Sequence, residues 1–547
     1  MSSQDNLTPV EKRFFWLITA VLAFAYTSHI SFYPINVGTD EGIRALVSLE
    51  MMLSGDYITP TLNGELYLNK PPLFNWILAA SFKLFGYNSF ALRFPTVLSI
   101  FIFGFLVFYF TRKYVNAKVA WVSAIAVMTN GRILIYDSVL GLIDITYAWV
   151  TFLGFMLVFH FGEKKQYSRL FISTYIITAA GFLLKGFPSV AFHGLTLLSY
   201  FIYTKNFRKL FHWNHFAGII VFLAITGAYY LMYFSRNNLP PPVLFKNLLT
   251  ESSKRLTSSG DTGRFLFHVL GFPFYILYHF APLTLLGVLL FRKKLIDSLR
   301  SNPYIFFCAA VFMSNIIVYW VSPNIFARYL FMLIALLFIV LSFFYIEAVS
   351  EIKHGKKIID TVFLSGAILL LVSCFFLPFT DSTSLVQHVW PRSIFLIICF
   401  GVVVWLMLKN PGMRIIHFFL AMALFRIGFN WFVIEQRGKE NMIAREDGKK
   451  IAIITQGKPL CIFGRPLDIY ESGIGDKNAT SFNIAIHRKE VIRFKPGIDY
   501  NSFYLTNPAE VKNIPHEVYY EFNNPGTDKA ILIKFVPPVN QPVKNNP

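Results

Sequence analysis

The sequence predicts a membrane all-α protein of about 13 transmembrane helices with extracytoplasmic juxtamembrane helices, followed by a small C-terminal α/β extracytoplasmic domain. Three observations predict it. With 55% hydrophobic and 15% charged residues, the 547-residue chain has too little polar surface to cover a globule in water. Apolar windows of about 20 residues, long enough to span a bilayer, recur from residue 14 to residue 433. Beyond residue 434 the composition turns polar, with Gly, Pro and Asn turns between short alternating runs such as "KIAIITQ" and "KAILIKFV".

Taken in order, the apolar windows lie near 14–34, 93–111, 118–136, 139–160, 169–185, 187–204, 216–234, 268–291, 303–321, 326–347, 360–379, 393–408 and 413–433. No small-residue cleavage site follows the first, which reads as a retained helix. Loop charge tests the order. With Lys12 and Arg13 cytoplasmic, every second loop is rich in Lys and Arg: Arg112, Lys113 and Lys118; Lys164, Lys165 and Arg169; Lys205, Arg208 and Lys209; Arg292 to Arg300; Lys353 to Lys357; Lys409 and Arg414. An odd number of spans then puts the C-terminal segment outside, and the chain reads as a transmembrane module 1–434 plus a soluble extracytoplasmic domain 435–547. The net charge of +20 is dispersed through these loops. It reports topology, and no nucleic-acid motif accompanies it. Of the four cysteines, Cys308, Cys374 and Cys399 lie in apolar segments and Cys461 stands alone, so no disulfide or metal spacing is visible.

Two outer segments, 35–92 and 235–267, are too long to be plain connectors, and such loops on a rigid scaffold are where binding and catalysis concentrate. In "DEGIRALVSLEMMLSG" the spacing of Leu46, Leu49 and Leu53, acids in the first turn and a terminal Gly55 predict a helix. "NKPPLFNWILAASFKLFG" predicts a second, opened by Pro71-Pro72 and closed by Gly86. Between them "PTLNGELYL" predicts a tight turn at Asn63-Gly64. Both helices are amphipathic enough to lie in the membrane interface.

The candidate chemistry lies on these outer segments. Asp40 and Glu41 form a carboxylate pair at the membrane edge, where desolvation is expensive without a cation, a metal or a substrate proton to meet. The plain alternative is a solvated helix N-terminus. Asp144, in "GLIDITYAWVTF" at the outer end of the fourth span, is an acid at a depth where acids are functional by default, with pairing to Arg132 or Lys185 as the alternative. Lys70 is held between Asn69 and the stiff Pro71-Pro72. Arg255, in "ESSKRL", offers a guanidinium fork for phosphate oxygens. Lys185 in "LLKGFPS" and Arg328 in "NIFARYLF" add cations on the same side, or serve as snorkelling anchors. Acids beside several outer-face cations suit an anionic lipid phosphate undergoing an acid-assisted reaction.

The stretch "TDEGIRALVSLEMMLSGDYITPTLNGELYLNKPPLFNWILAASFKLFGYNSFALRFP" resembles the first outer loop of the bacterial lipid A aminoarabinose transferases and their protein O-mannosyltransferase relatives, GT-C glycosyltransferases that use polyprenyl-phosphate sugars. Asp144, "LLKGFPS", "ESSKR" and "ARYL" extend the resemblance over about the first 350 residues. It implies an integral protein of the bacterial inner membrane that moves a sugar from a polyprenyl-phosphate donor, with inversion, to a glycolipid or protein acceptor. On that resemblance Asp40 is the acceptor-side acid, with Glu41 beside it and Asp144 as its partner in the second rank or in sharing a metal. Lys70 and Arg255, aided by Lys185 and Arg328, hold the donor phosphate; Arg44 and Tyr67 line the same cavity. One departure stands out: the aminoarabinose transferases usually have Glu before the Lys-Pro pair, and this chain has Asn69. The resemblance fixes no cofactor with certainty, and a divalent cation (Mg, Mn or Zn) at Asp40 and Asp144 is an open expectation. A polyprenyl-lipid transporter is the rival from another class, and the outer-loop placement of the acids speaks against it.

Overall fold

The computed structural model describes residues 7–32, 40–253, 262–292, 294–347, 353–380, 383, 386–440, 443–463, 477–495, 497–523 and 529–537. By its internal contacts the chain divides into two units, one of Met1–Ile30, Asn69–Leu73 and Arg93–Gln436, the other of Ser31–Leu68, Phe74–Leu92 and Arg437–Pro547. Each unit is thus discontinuous in sequence, and residues 40–92 are divided between the two.

The first unit is a multi-pass helical assembly. Among the described residues, nine helices are long and apolar enough to cross a membrane: Ser89–Tyr114, Ile143–Glu163, Tyr167–Lys185, Trp213–Arg236, Pro303–Trp320, Ala327–Glu347, Gly355–Phe379, Val389–Lys409 and Pro411–Gly438. A tenth is reached if Ala117–Met128 and Gly131–Val139, bent by 45° to one another, count as one span. The break between them has a local cause, because Asn130 turns its side chain to accept from the Ile133 N–H at 3.2 Å and starts a new helix. Of the other apolar windows, the one at 14–34 lies on the continuous 19-residue helix Pro9–Thr27, and the rest are shorter or interrupted. The window at 187–204 is the 16-residue helix Pro188–Tyr203, and that at 268–291 is the helix Thr262–His279 followed by a 3₁₀ stretch, Leu283–Leu290. Apolar composition alone does not separate a continuous helix from an interrupted one.

Polar side chains tie these helices where no water competes. Tyr26 donates to the Met128 carbonyl at 2.6 Å, Arg93 to the Ile30 carbonyl at 3.1 Å, Asn430 to the Ala25 carbonyl at 2.6 Å and Arg426 to the Leu134 carbonyl.

In the second unit the helix Asp40–Ser54 ends at Gly55, and Leu73–Phe85 at Gly86, the two glycines expected to close them. The hairpin between them pairs β1, Thr61–Leu62, with β2, Glu65–Leu66. Helix Asp40–Ser54 is covered by protein along Glu41 to Met51 instead of keeping one face open. Its cover includes the helix Lys477–Arg488 and the hairpin. The remainder is a five-stranded mixed sheet of β3 Leu460–Phe463, β4 Arg493–Lys495, β5 Phe503–Thr506, β6 His516–Asn523 and β7 Lys529–Phe535, in the order β4-β3-β5-β7-β6. β3 runs parallel to β4 and β5, and β7 antiparallel to β5 and β6. Tyr504, Val511, Ile531, Ile533 and Phe535 form its core.

"KAILIKFV" supplies β7, as its alternation predicts. "KIAIITQ" does not form a strand: it closes the helix Ile443–Ile454. Ile451 and Ala452 are both buried while Ile453 is 62% exposed, which is a helical face turned to Lys477–Arg488; a strand would place Ile451 and Ile453 on one side.

Candidate active site

Helix direction assembles the site. Ile143–Glu163 begins, and Tyr167–Lys185 ends, at the same end of an antiparallel pair, so the first turn of one meets the last turn of the other. Asp144 sits in that first turn and Lys185 is that last residue; both placements agree with the helix dipoles. Gly186 adopts φ 78°, a left-handed conformation that glycine takes without strain, and this lets the chain turn at once into Pro188–Tyr203. The Asp144 helix is locked against Ser89–Tyr114 by Ser99 to Thr146 at 2.9 Å, Trp149 to Ser99 at 3.2 Å and Thr96 to the Leu142 carbonyl at 3.2 Å.

Both oxygens of Asp144 face cations. Lys185 Nζ donates to Oδ1 at 2.5 Å, and Arg328 Nε lies 3.3 Å from Oδ2. The Asp144 side chain is only 4% exposed, so these charges act on one another with little screening by water. Aromatic faces hold the cations: Lys185 Nζ is 4.1 Å from the Tyr329 ring centre and 5.0 Å from that of Tyr147, and the Arg328 guanidinium lies 4.4 Å from that of Phe326. A second pair adjoins this cluster. Arg132 grips Asp137 with Nε at 2.8 Å and Nη2 at 3.2 Å, and Asp137 lies within electrostatic reach of Asp144 and Arg328.

In front of Lys185 opens a cavity of about 400 Å³. Its polar lining is Lys70, Lys185, Glu251, Ser322, Tyr319 and Tyr329, and its apolar wall runs from Phe187 to Phe192 and includes Leu249, Val318 and Ile325. A charged end joined to a greasy wall fits an amphiphile with an anionic head.

The structure therefore brings together Lys70, Lys185, Asp144 and Arg328 of the expected residues. Asn69 stands beside Lys70 and is half-buried. Asp40, Glu41 and Arg44 lie on the helix Asp40–Ser54 of the second unit, where the Arg44 guanidinium sits 5.4 Å from the centre of the Tyr67 ring. Arg255 lies outside the described residues. Asp144 takes Lys185 as its partner while Arg132 takes Asp137, which settles the alternative pairings open in the sequence. With both oxygens turned to cations, Asp144 is poorly placed to ligate a divalent ion, and among the described residues no three His, Cys, Asp or Glu side chains gather at metal-binding distance.

Sequence reasoning missed Asp137, Glu251 and the aromatic supports Tyr147, Tyr319 and Tyr329. Two signals were available: Asp137 is a second acid one short segment before Asp144, and Tyr329 directly follows Arg328.

A multi-pass helical membrane protein with its cations gathered at one end of a helix pair around an amphiphile-sized cavity is the class this fold and site define, and the solved structures sharpen the fold. The chain superposes on ArnT from Cupriavidus metallidurans bound to undecaprenyl phosphate with a TM-score of 0.68 over 96% of this chain and 99% of that one, at 17% identity. The apo form gives 0.66. The fold is that of ArnT. In sequence, residues 69–232 match the family described as dolichyl-phosphate-mannose-protein mannosyltransferase. The undecaprenyl phosphate-α-4-amino-4-deoxy-L-arabinose arabinosyl transferase of Photorhabdus laumondii is 26% identical over 386 residues, 66% of this chain and 65% of the relative. The enzyme of the same name from Edwardsiella ictaluri is 30% identical over 177 residues, 31% of this chain and 32% of the relative. The chain thus spans just under two thirds of the first of these relatives and about a third of the other.

Proposed function

We propose that this protein is an inverting glycosyltransferase of the bacterial inner membrane that moves a sugar from a polyprenyl-phosphate donor to a lipid acceptor, lipid A or a similar glycolipid, at the extracytoplasmic face. In this reading the N-terminus is cytoplasmic and residues 435–547 are periplasmic. The observation that carries it is the cavity of about 400 Å³ with Lys70 and Lys185 at its polar end and a wall of Phe187, Phe192, Leu249, Val318 and Ile325. The likeness in fold to a protein solved with undecaprenyl phosphate supports the same ligand class.

The chemistry follows from charge placement. The acceptor oxygen attacks the anomeric carbon as the bond to the phosphate oxygen breaks, so negative charge grows on a leaving phosphate. The ammonium groups of Lys70 and Lys185 stabilise that charge at the polar end of the cavity, and no nucleotide-binding fold is needed. Asp144 does not serve as the proton acceptor, because Lys185 and Arg328 already engage it; it orients those cations. Asp40 is the proposed general base when the acceptor is a hydroxyl, a role resting on the resemblance of its loop. No step is routed through a metal ion.

The match to protein mannosyltransferases over 69–232 favours polypeptide as the second acceptor reading. Membranes containing the protein, given a polyprenyl-phosphate-linked radiolabelled sugar, should transfer label to lipid extracted in chloroform–methanol. Label in delipidated protein selects the second reading, and label that stays on the donor with every sugar tried overturns both.

A further inference from the structure

The second unit contains a buried carboxylate that glycosyl transfer does not use. Glu50 lies near the end of the helix Asp40–Ser54 and is fully enclosed. Its Oε1 accepts from the Asn63 N–H at 2.7 Å, and its Oε2 accepts from the Thr61 hydroxyl at 2.7 Å and the Gly64 N–H at 3.1 Å. These donors come from the hairpin turn, where Asn63 (φ 52°) and Gly64 (φ 79°) are both left-handed, as a tight two-residue hairpin requires. One acid therefore pins a helix to a turn that follows it.

The far side of that turn meets β4 of the C-terminal domain. The Asn63 carbonyl accepts from the Phe494 N–H at 3.3 Å, and the stem of Arg493 lies across Gly64 so closely that a Cβ there would come within 2.8 Å of the Arg493 Cγ. The guanidinium charge of Arg493 also acts on Glu50 and offsets part of its burial. From sequence the C-terminal domain carries no motif, yet it touches the first outer loop at the point where that loop is most constrained.

We propose that the C-terminal domain is a positioning device for the first outer loop: Arg493 on β4 presses the Asn63-Gly64 turn onto Glu50 and so fixes the helix that carries Asp40 and Arg44. The clamp itself stands on this geometry, and only its effect on turnover rests on the glycosyl-transfer reading.

The test uses the full-length protein and the variants Arg493→Glu and Arg493→Lys, with hydrogen–deuterium exchange of peptides covering 40–54 and 61–66. Because exchange reports local opening, R493E should raise exchange of both peptides roughly tenfold, while R493K, which keeps stem and charge, stays near wild type. Peptides from β5 and β7 should be unchanged, reporting an intact sheet. Should R493E disturb the sheet itself, Arg493→Ala, which removes the stem and the charge without reversing the charge, tests the same contact and should give the same pattern. Unaltered exchange of 40–54 in whichever variant keeps its sheet overturns the clamp. In the transfer assay R493E should lower kcat roughly tenfold and leave the donor KM within about twofold, since a loosened helix misplaces catalytic groups without removing donor contacts. Full kcat with a loosened helix overturns the positioning role. A wild-type protein that transfers no sugar counts against the proposed function, and the exchange measurement still decides the clamp.

Discussion

Asp144 in the first unit and Glu50 in the second are both buried acids, and they are satisfied in opposite ways. Asp144 lies between two cations, Lys185 and Arg328, beside a cavity. Glu50 takes two backbone N–H groups and a hydroxyl, with a cation only in the background. A carboxylate met by charges holds other charges in place, and its removal alters the electrostatics of whatever binds nearby. A carboxylate met by neutral donors holds backbone in place, and its removal alters geometry. The pairing pattern separates an acid that holds charges in place from one that holds backbone in place, although both are buried.

The largest effect that can break this comparison is expected from Asp144→Ala. It leaves two buried cations facing each other without their anion, which costs about 3–5 kcal/mol. Transfer should fall by roughly 10²–10³, because Lys185 loses its fixed position at the cavity. Thermal unfolding in detergent and the rate of label transfer measure the two effects, and a variant that keeps normal transfer removes Asp144 from the reaction. Next comes Lys70→Ala, which takes one ammonium from the polar end of the cavity. Turnover should drop by roughly 10–10² with thermal stability near that of wild type, the reverse of a packing defect.

Glu50→Gln should be smaller. An amide has one accepting oxygen where Glu50 uses both, so one N–H of the Asn63-Gly64 turn loses its partner at a cost of about 1–3 kcal/mol. The pH dependence sharpens the contrast. Burial holds the Glu50 carboxyl above its ordinary range, against the lowering influence of Thr61, Gly64, Asn63 and Arg493. A folded-state pKa above the unfolded value means that the folded protein favours protonated Glu50. Its contribution is therefore fully present below the unfolded value and declines as pH rises through the folded one. The stability difference between wild type and Glu50→Gln should shrink as pH is raised across that window; a difference that grows contradicts the assignment. Smallest is Tyr329→Leu, which removes the ring 4.1 Å from Lys185 Nζ. It should cost about 0.5–2 kcal/mol, with the donor KM rising more than kcat falls.

Much of the first outer loop was legible in the sequence, because its signals are local. The Asn63-Gly64 turn and the terminal glycines 55 and 86 each follow from backbone demands that only a few residues satisfy, and each is found at the expected place. The meeting of Lys185 with Asp144 was legible in part, since two helices of opposite direction must share an end. Which of Arg132 and Lys185 would pair with Asp144 was not, because the choice depends on Asp137 and on the bend after Met128, and neither has a periodic signature. "KIAIITQ" reads as a strand by alternation and is helical because a second helix covers Ile451 and Ala452, a tertiary effect that a short run does not record. The docking of the hairpin on β4 joins residues far apart in the chain, and nothing near Gly64 announces Arg493.

The second unit is woven from two distant parts of the chain, Ser31–Leu68 with Phe74–Leu92, and Arg437–Pro547. During synthesis the early part emerges long before its partner strands exist, and every intervening helix must enter the bilayer first. A chain cut short just before residue 437 would carry the nine candidate spans of the described residues nearly whole, yet Glu50 and its turn would have no β4 to rest on.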